Sequence, residues 1–320
     1  MGYDAVLLIA FGGPTTPDEI RPFLEIVTRG RRIPPARLEE VVHHYERMPG
    51  GSSPLTALTQ AQAAALARAL TTDGPALPVF VGMRNWHPFL PETLAEMRDR
   101  GHRRVLGVIL SALRCEASWD RYKADVRRAR AATSGAPEVE FAEPWFGHAG
   151  FLDAVAARAR DAFAAVPADE RRRTPLVVTA HSIPVAMAED APYVTELNAV
   201  AHAVAGRLDH ERFSIAYQSR SGAPGDRWLE PDVNDVIRSL AEERARHVVV
   251  VPAGFVCDHV EVLYDLDVEA RATAAALGIA LHRATAVNDH PDFIATLADV
   301  VRRCARAAAS CDGHEPSSPA

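Results

Sequence analysis

Eight short apolar runs, each followed by a longer stretch with helical periodicity, limit what this chain can fold into. Runs of this length that alternate with helices predict an α/β architecture with a mostly parallel sheet. The helical stretches include PLTALTQAQAAALARAL and GFLDAVAARARDAFAAV. The predicted strands are AVLLIA, LPVFVGM, RRVLGVIL, PEVEFA, PLVVTA, RFSIAYQ, HVVVVPA and GIALHRA.

The two halves of the chain begin alike, which indicates an internal repeat. Each starts with an apolar strand, a turn of small residues and a proline: AVLLIAFGGP in one half and PLVVTAHSIP in the other. A polar connection over residues 165–174 separates them. We therefore predict two doubly wound, Rossmann-like lobes with parallel sheets and an active-site cleft between them, because ligands collect at the carboxyl ends of such strands. The predicted units are residues 1–165, residues 166–308 and a disordered tail over 309–320.

Composition and charge narrow the class of protein. The chain has 320 residues, 48% apolar and 24% charged, with a net charge of −7. These values are ordinary for a globular protein and disfavour nucleic acid as a partner. The opening residues Met1-Gly2-Tyr3-Asp4 lead directly into a strand, and no run is long enough to span a bilayer. We expect a cytoplasmic protein without an integral membrane segment.

A ladder of acids follows one strand, and a histidine ends another. Glu261, Asp265 and Glu269 come after HVVVVPA, and His181 comes at the end of PLVVTA. If the acids lie on an α-helix, their i, i+4 spacing places them on one face over about 12 Å. The alternative without a function is a solvated acidic face, since negative charges are favourable near a helix N-terminus. This alternative explains Glu269 poorly, because Glu269 lies two turns further along. A ladder of acids near a histidine indicates a site for a cation, protons or both.

Several other motifs are absent. The turn FGGP lacks the third glycine of a dinucleotide fingerprint, and the chain has no P-loop, nucleophile elbow or HExxH sequence. No organic cofactor is therefore indicated. The four cysteines, Cys115, Cys257, Cys304 and Cys311, contain no CxxC pair, so we expect neither disulfides nor an iron–sulfur cluster.

The remaining candidate side chains are less specific. Arg29 and Arg31 form a basic spot that is either solvated surface or a receptor for substrate carboxylates. His43 and His44 lie in a predicted amphipathic helix, where a solvated role is favoured. His259 flanks Glu261 but is expected to point elsewhere.

Taken together, these segments resemble the ferrochelatases, enzymes that insert ferrous iron into a porphyrin. The resemblance extends from the first strand to about residue 305 and is closest to the coproporphyrin III enzymes of Gram-positive and actinobacterial type. It rests on LLIAFGGP, FLEIVTRGRRIPPARLEEVVHHY, GGSSPLTALT, GMRNWHP, VVTAHSIP, YQSRSG with WLEPDVNDVI, and VPAGFVCDHVEVLYDLDVEA.

The resemblance implies roles for particular residues. His181 and Glu261 would face each other across the macrocycle as the metal and proton site, and Asp265 with Glu269 would continue outward as a relay. The porphyrin would be lined by residues of the first half: Thr28, Arg29, Tyr45, Ser53 and Tyr122. Where some relatives have a tyrosine that reaches the iron, this chain has Phe11, which cannot bind a metal. Ferrous iron and the porphyrin would be the two substrates. Other proteins of the haem pathway would be the protein partners.

Three alternatives remain open at this stage. The porphyrin could be protoporphyrin IX, or the metal could be Co²⁺ or Ni²⁺ in another tetrapyrrole. The chain could also bind or transfer a tetrapyrrole without catalysis, although simple binding needs neither His181 nor the acid ladder.

Overall fold

Two parallel sheets with the same strand order form the framework of the protein. The computed structural model describes residues 2–30, 34–221 and 225–312. The first sheet has the order β2-β1-β3-β4 and the second the order β6-β5-β7-β8, with every pair parallel. The predicted fold class and internal repeat are confirmed. The strands are β1 Ala5–Ala10, β2 Val79–Met83, β3 Arg104–Ile109, β4 Glu138–Phe141, β5 Leu176–His181, β6 Phe213–Gln218, β7 His247–Val251 and β8 Ala280–Arg283.

Helices connect successive strands and cover the faces of both sheets. Two π-helices, at Glu116–Asp120 and Leu263–Ala270, and short 3₁₀ turns at Pro17–Glu19, Pro49–Gly51 and Arg171–Arg173 interrupt the α-helical pattern. The α-helices are α1 Ile20–Val27, α2 Pro35–Glu46, α3 Leu55–Asp73, α4 Leu90–Asp99, α5 Arg121–Ala132, α6 Ala149–Ala164, α7 Val185–Glu189, α8 Tyr193–Leu208, α9 Val233–Glu242, α10 Val260–Val262, α11 Arg271–Ala276 and α12 Pro291–Asp312.

The central strands are apolar because both of their faces are buried. Alternate residues of β1 enter different cores: Val6 and Leu8 face a core that also contains Val178 of β5, whereas Leu7 and Ile9 face helices α4 and α5. The first of these cores includes side chains from both sheets and from the helices between them, and we call it the shared core. The two lobes are therefore joined by continuous apolar packing.

The helices at the predicted boundary pack across it. Helix α6 contacts β7 and α8, and α12 contacts both α6 and α3. The division at residues 165 and 166 stays a prediction. Helix α12 includes residues 309–312, which the sequence had assigned to the tail, and residues 313–320 lie outside the described part of the chain. Among the described residues, no helix is long and apolar enough to cross a membrane.

A glycine sets how closely the second lobe's central strand approaches the loop after β7. A Cβ on Gly254 would lie 2.5 Å from the Ala180 Cβ and 2.8 Å from its Cα. Since Ala180 is fully buried in β5 and its backbone is paired, neither side can move freely. This close contact holds the loop that leads towards Glu261 against the strand that ends at His181.

We therefore expect Gly254→Ala to lower the free energy of unfolding by about 1–3 kcal/mol, the usual cost of overpacking a core. Thermal denaturation of Gly147→Ala is the matched control, because a Cβ at Gly147 meets nothing within 4 Å. Equal melting temperatures for the two variants would show that the close packing at Gly254 is dispensable.

Candidate active site

The predicted histidine and the first acid of the ladder lie at the topological switch point of the second sheet. Strand β5 ends at His181, and β7 leads through residues 252–259 into α10, which contains Glu261. In the order β6-β5-β7-β8, the chain after β5 runs to β6 at one edge of the sheet, and the chain after β7 runs to β8 at the other edge. Because these two connections leave in opposite directions, a crevice opens between the ends of β5 and β7. His181 and Glu261 lie on either side of that crevice.

The two side chains form a pair that solvent can still reach. His181 Nε2 lies 3.7 Å from Glu261 Oε1, with 28% of the histidine side chain and 47% of the glutamate side chain exposed. Many protein atoms surround the carboxylate, yet nearly half of the glutamate side chain remains accessible to solvent. The pair therefore combines a strong local charge interaction with access for a small cation.

The backbone fixes which nitrogen of His181 faces the crevice. Nδ1 is hydrogen-bonded to the carbonyl oxygen of Ser182, which can only accept, so Nδ1 carries a proton. In the neutral ring, Nε2 then has a free lone pair directed towards Glu261. Tyr193 donates a hydrogen bond to the His181 carbonyl at 2.8 Å and holds the end of the strand.

Each member of the pair favours the charged form of the other. Partial removal of water raises the pKa of Glu261, but the charge and hydrogen bond of His181 outweigh this and lower it to about 2. Burial lowers the pKa of His181, yet the charge of Glu261 raises it above its usual value overall. Without a bound cation, the two groups favour the combination of a carboxylate and an imidazolium.

Asp265 and Glu269 lie on a π-helix that directly follows the short α10 with Glu261, so the predicted α-helix is wrong for Leu263–Ala270. Hydrogen bonds from i to i+5 replace the α-helical pattern, and such segments are frequent at functional sites. The i, i+4 spacing still links Glu261, Asp265 and Glu269 along the helix. Glu261 and Glu269 are exposed, and Asp265 between them is half-buried.

Asp265 differs from Glu261 in its proton affinity. Burial, together with the negative charges of Glu261 and Glu269, raises the pKa of Asp265 to about 7, although a 2.5 Å hydrogen bond from the Ser219 hydroxyl opposes this. Ser219 has a φ of 65°, a left-handed conformation that is uncommon for serine. Burial and Asp232 also raise the pKa of Glu269. The ladder therefore contains one group, Asp265, that can exchange protons near neutral pH.

The other histidines differ partly from expectation. His259 caps α10, where its Nδ1 accepts the backbone N–H of Glu261 at 3.2 Å, and it therefore orients the Glu261 backbone. His43 is exposed beside Glu46, as a solvated role requires. The solvated role predicted for His44 is wrong, because its ring stacks on Tyr264 of the π-helix with centroids 3.6 Å apart. This contact joins α2 of the first lobe to the acid-bearing helix of the second.

Two tyrosines of the first lobe lie within electrostatic range of Glu261. Tyr45 and Tyr122 are each 6% exposed. Burial raises the pKa of both hydroxyls, and the charge of Glu261 raises them further, although Arg84 lowers that of Tyr122. Both hydroxyls therefore remain protonated and can donate hydrogen bonds.

Arg84 is a further neighbour of the site, to which no role was assigned from the sequence. Its guanidinium lies 4.4 Å from the ring centroid of Tyr122 and pairs with Asp125, and 10% of its side chain is exposed. Burial lowers its pKa. Its position one residue after β2 was the available signal, because residues at that point border the crevice in a parallel sheet.

The remaining predicted porphyrin contacts lie in different environments. The Thr28 hydroxyl donates a hydrogen bond to the Leu24 carbonyl oxygen of α1. Arg29 is exposed. Ser53 is buried, and its Oγ accepts a hydrogen bond from the Leu55 N–H at 3.3 Å. Phe11 is 39% exposed. Arg31 lies outside the described residues.

Three of the cysteines, Cys115, Cys257 and Cys304, lie in different segments of the fold. Cys115 and Cys257 are buried, and Cys304 is half-buried on α12. Burial raises the pKa of Cys257 to about 12, which favours the thiol over the metal-binding thiolate. In the part of the chain that the structure describes, no three His, Cys, Asp or Glu side chains are grouped closely enough to hold a metal ion by themselves.

The fold is that of metal chelatases. Sirohydrochlorin chelatase SirB of Bacillus subtilis subspecies spizizenii, solved with cobalt, matches with a TM-score of 0.56 at 12% identity, over 96% of this chain and 97% of that one. SirB of Bacillus subtilis, solved with Fe³⁺, matches with a TM-score of 0.60 at 11% identity, over the same shares of the two chains. At these identities the likeness concerns the fold alone.

The chain belongs to the ferrochelatase family, whose model matches residues 3–305. It is 44% identical to the coproporphyrin III ferrochelatase of Mycobacterium avium, over 99% of this chain and 93% of the relative. Identity to the coproporphyrin III ferrochelatase of Mycobacteroides abscessus is 42%, over 94% and 88%. A ferrochelatase of Rhodopirellula baltica is 38% identical, over 94% and 86%.

The raised pKa of Asp265 predicts how its removal changes stability with pH. Its folded value of about 7 exceeds the ordinary 3.8, so the folded protein binds this proton more tightly than the unfolded chain. The contribution of Asp265 to stability is therefore lost as pH rises from about 4 to 7. Asp265→Asn should melt at a higher temperature than the wild type at pH 8, and the difference should disappear near pH 4.

Glu261→Gln is the control with the opposite sign, because the pKa of Glu261 is lowered from 4.5 to about 2. Its stabilising effect is present above pH 4.5 and lost below it, so this variant should melt at a lower temperature at pH 7. The same sign of change for both variants at that pH would contradict the assigned proton affinities.

Proposed function

We propose that this protein inserts Fe²⁺ into coproporphyrin III, with His181 and Glu261 as the groups that handle the metal and the pyrrole protons. The observation that carries the proposal is the 3.7 Å pair of Nε2 and Oε1 at the switch-point crevice of a ferrochelatase-family chain. The names of the relatives with 42–44% identity support coproporphyrin III as the porphyrin, and a role in haem biosynthesis.

Metal insertion and proton removal both involve His181 Nε2 and Glu261 Oε1 in this proposal. A porphyrin must lose two pyrrole protons before its nitrogens can bind a dication. His181 can accept a proton at Nε2 only when its ring is neutral. In the cation-free site, however, the charge of Glu261 favours the imidazolium. An incoming Fe²⁺ that binds Glu261 removes that preference, since a second positive charge lowers the pKa of the ring. Arrival of the metal therefore prepares His181 as a base or ligand.

A site of only two protein donors suits a metal that must be released. Structural metal sites use four protein ligands and hold the ion tightly, whereas His181 and Glu261 leave most coordination positions to water and then to the porphyrin. An imidazole and a carboxylate are acceptable ligands for Fe²⁺. Transfer to the macrocycle then exchanges weak ligands for four pyrrole nitrogens.

Asp265 and Glu269 are proposed as a relay from the crevice to solvent. With a pKa of about 7, Asp265 can alternate between its protonated and charged forms at neutral pH. Protons from the pair could leave along this line, and hydrated cations could approach by it. Both uses need the successive acids that the π-helix presents.

The porphyrin is proposed to lie between the pair and the first lobe. Tyr45 and Tyr122 supply apolar rings with protonated hydroxyls, while Thr28 and Ser53 lie in neighbouring segments. Coproporphyrin III has four propionates and protoporphyrin IX has two, so the former needs more donors. Arg29 is an exposed cation that can pair with a carboxylate through two hydrogen bonds. We propose no organic cofactor and no iron–sulfur cluster.

An anaerobic assay with Fe²⁺ tests the substrate. We expect a higher kcat/KM for coproporphyrin III than for protoporphyrin IX, followed by absorbance at a fixed detergent concentration, because more propionates can be bound. Arg29→Ala should reduce that preference. A higher kcat/KM for protoporphyrin IX would overturn the proposed substrate, and binding of either porphyrin without turnover would favour a non-catalytic carrier.

Variants of the pair test the site. His181→Ala should lower turnover 10²–10⁴-fold, the usual effect of removing a positioned acid–base group, without changing porphyrin Kd. Glu261→Gln should nearly abolish turnover, whereas Glu269→Gln, farther along the helix, should mainly raise the KM for iron. If His181→Ala kept more than about a tenth of wild-type turnover, His181 would have no catalytic role.

A further inference from the structure

Gln218, the last residue of β6, has a buried side-chain amide. The oxygen and the nitrogen of this amide form hydrogen bonds to two different elements of the fold. It is 1% exposed. Its Oε1 accepts a hydrogen bond from the Thr179 hydroxyl at 2.8 Å, and its Nε2 donates one to the carbonyl oxygen of Glu261 at 3.1 Å. A buried amide is costly unless its polar atoms are satisfied, so these two bonds restrict Gln218 to one orientation.

The backbone of Gln218 is connected to His181. Its carbonyl accepts the Ser182 N–H at 2.7 Å, and the Ser182 carbonyl in turn holds the Nδ1 proton of the histidine ring. Gln218 and His181 are also strand partners at the end of the β5–β6 ladder. One residue thus has hydrogen-bonded connections to both members of the pair.

Strand pairing alone does not fix the spacing of the pair. The β5–β7 ladder covers Leu176–Val178 and stops three residues before His181. Beyond it the strands separate to open the crevice, and the Gly254 N–H bond to Thr179 O at 3.0 Å is the next backbone contact. The Gln218 side chain spans the gap and reaches the backbone of Glu261 itself.

We propose that Gln218 is a positioning residue for metal insertion, which fixes the separation of His181 and Glu261 by joining the end of β5 to the start of the acid-bearing helix. Thr179 acts through it by holding the amide in the orientation that directs its N–H groups to Glu261. This inference rests on the proposed function of the pair. Small displacements of catalytic groups cost rate more than stability, because reaction requires a narrow range of geometry.

Two identical substitutions separate positioning from a merely structural role. Thr179 and Thr93 are both buried, at 0% and 3% exposure, and each donates one hydrogen bond of 2.8 Å, Thr93 to Val81 O in the first lobe. Thr179→Val and Thr93→Val should lower the melting temperature by similar amounts. Only Thr179→Val should lower kcat for Fe²⁺ insertion, by roughly 3–10-fold, the rate equivalent of one lost hydrogen bond. Porphyrin Kd should not change in either variant.

A double-mutant cycle provides the second measurement. Gln218→Met removes both side-chain bonds and should lower kcat further than Thr179→Val. Adding Thr179→Val to Gln218→Met should then have no further effect on kcat, since the threonine acts only through the amide. If Gln218→Met does not fold, the two threonine variants decide the question.

Wild-type kcat in Thr179→Val, with stability lowered as in Thr93→Val, would overturn the positioning role. Additive effects on kcat in the double variant would do so as well. Failure of the proposed function is a different result: it would be full turnover in His181→Ala, whatever the threonine variants do.

Discussion

Strand β5 is buried up to its last residue and paired on both sides over its first half, and the geometry of the candidate site depends on where it ends. Residues Leu176–Val178 pair with both neighbours, and the last three residues pair only with β6. His181 therefore comes at the point where the sheet opens, held from one side and free on the other. Gly254 packs directly against Ala180 at the same level. A rigid strand end beside an open crevice allows the imidazole to be both fixed and accessible.

Glu261 and Asp265 show how the surroundings give two carboxyls on one helix different chemistry. Glu261 faces an imidazole, and its pKa falls to about 2. Asp265, four residues later, is buried beside like charges, which raises its pKa to about 7. A permanently charged inner carboxylate attracts a dication, and a titrating neighbour can take up or release the balancing proton. The ladder thus begins with a charged carboxylate, Glu261, and continues with a proton-exchanging one, Asp265.

Much of this arrangement could be predicted from the sequence, for identifiable reasons. All eight strands were predicted from the sequence. The four central ones, β1, β3, β5 and β7, are nearly continuous apolar runs because central parallel strands are buried on both faces. His181 ends one such run, and the segment after another leads to Glu261, so the topology brings them to one crevice. The π-helix was missed because i, i+4 acids suit an α-helix equally well. The stacking of His44 on Tyr264 was missed for another reason: it depends on how α2 packs against the other lobe, which local patterns do not show.

The role of Gln218 was also invisible in the sequence, although YQSRSG was among the segments that carried the family resemblance. A glutamine at a strand end reads as a polar residue bordering the crevice. What distinguishes it is that Thr179 lies opposite one end of its amide and the Glu261 carbonyl opposite the other. These two partners come from different strands and converge only in three dimensions.

The shared core restricts how this protein can adapt to a flat, rigid substrate. Side chains of β1, β5, α3, α6 and α12 pack into one continuous cluster, so separating the lobes would expose apolar surface from both. Two domains that meet through a small polar interface move easily, but this interface is large and apolar. Adjustment is therefore expected in the elements that border the crevice. Helix α2 contacts the π-helix through the stack of His44 on Tyr264, and a separate apolar cluster joins Val42 and Tyr45 of α2 to Val260 of α10. Because Val260 precedes Glu261, this second cluster also ties the position of the acid to the packing of α2.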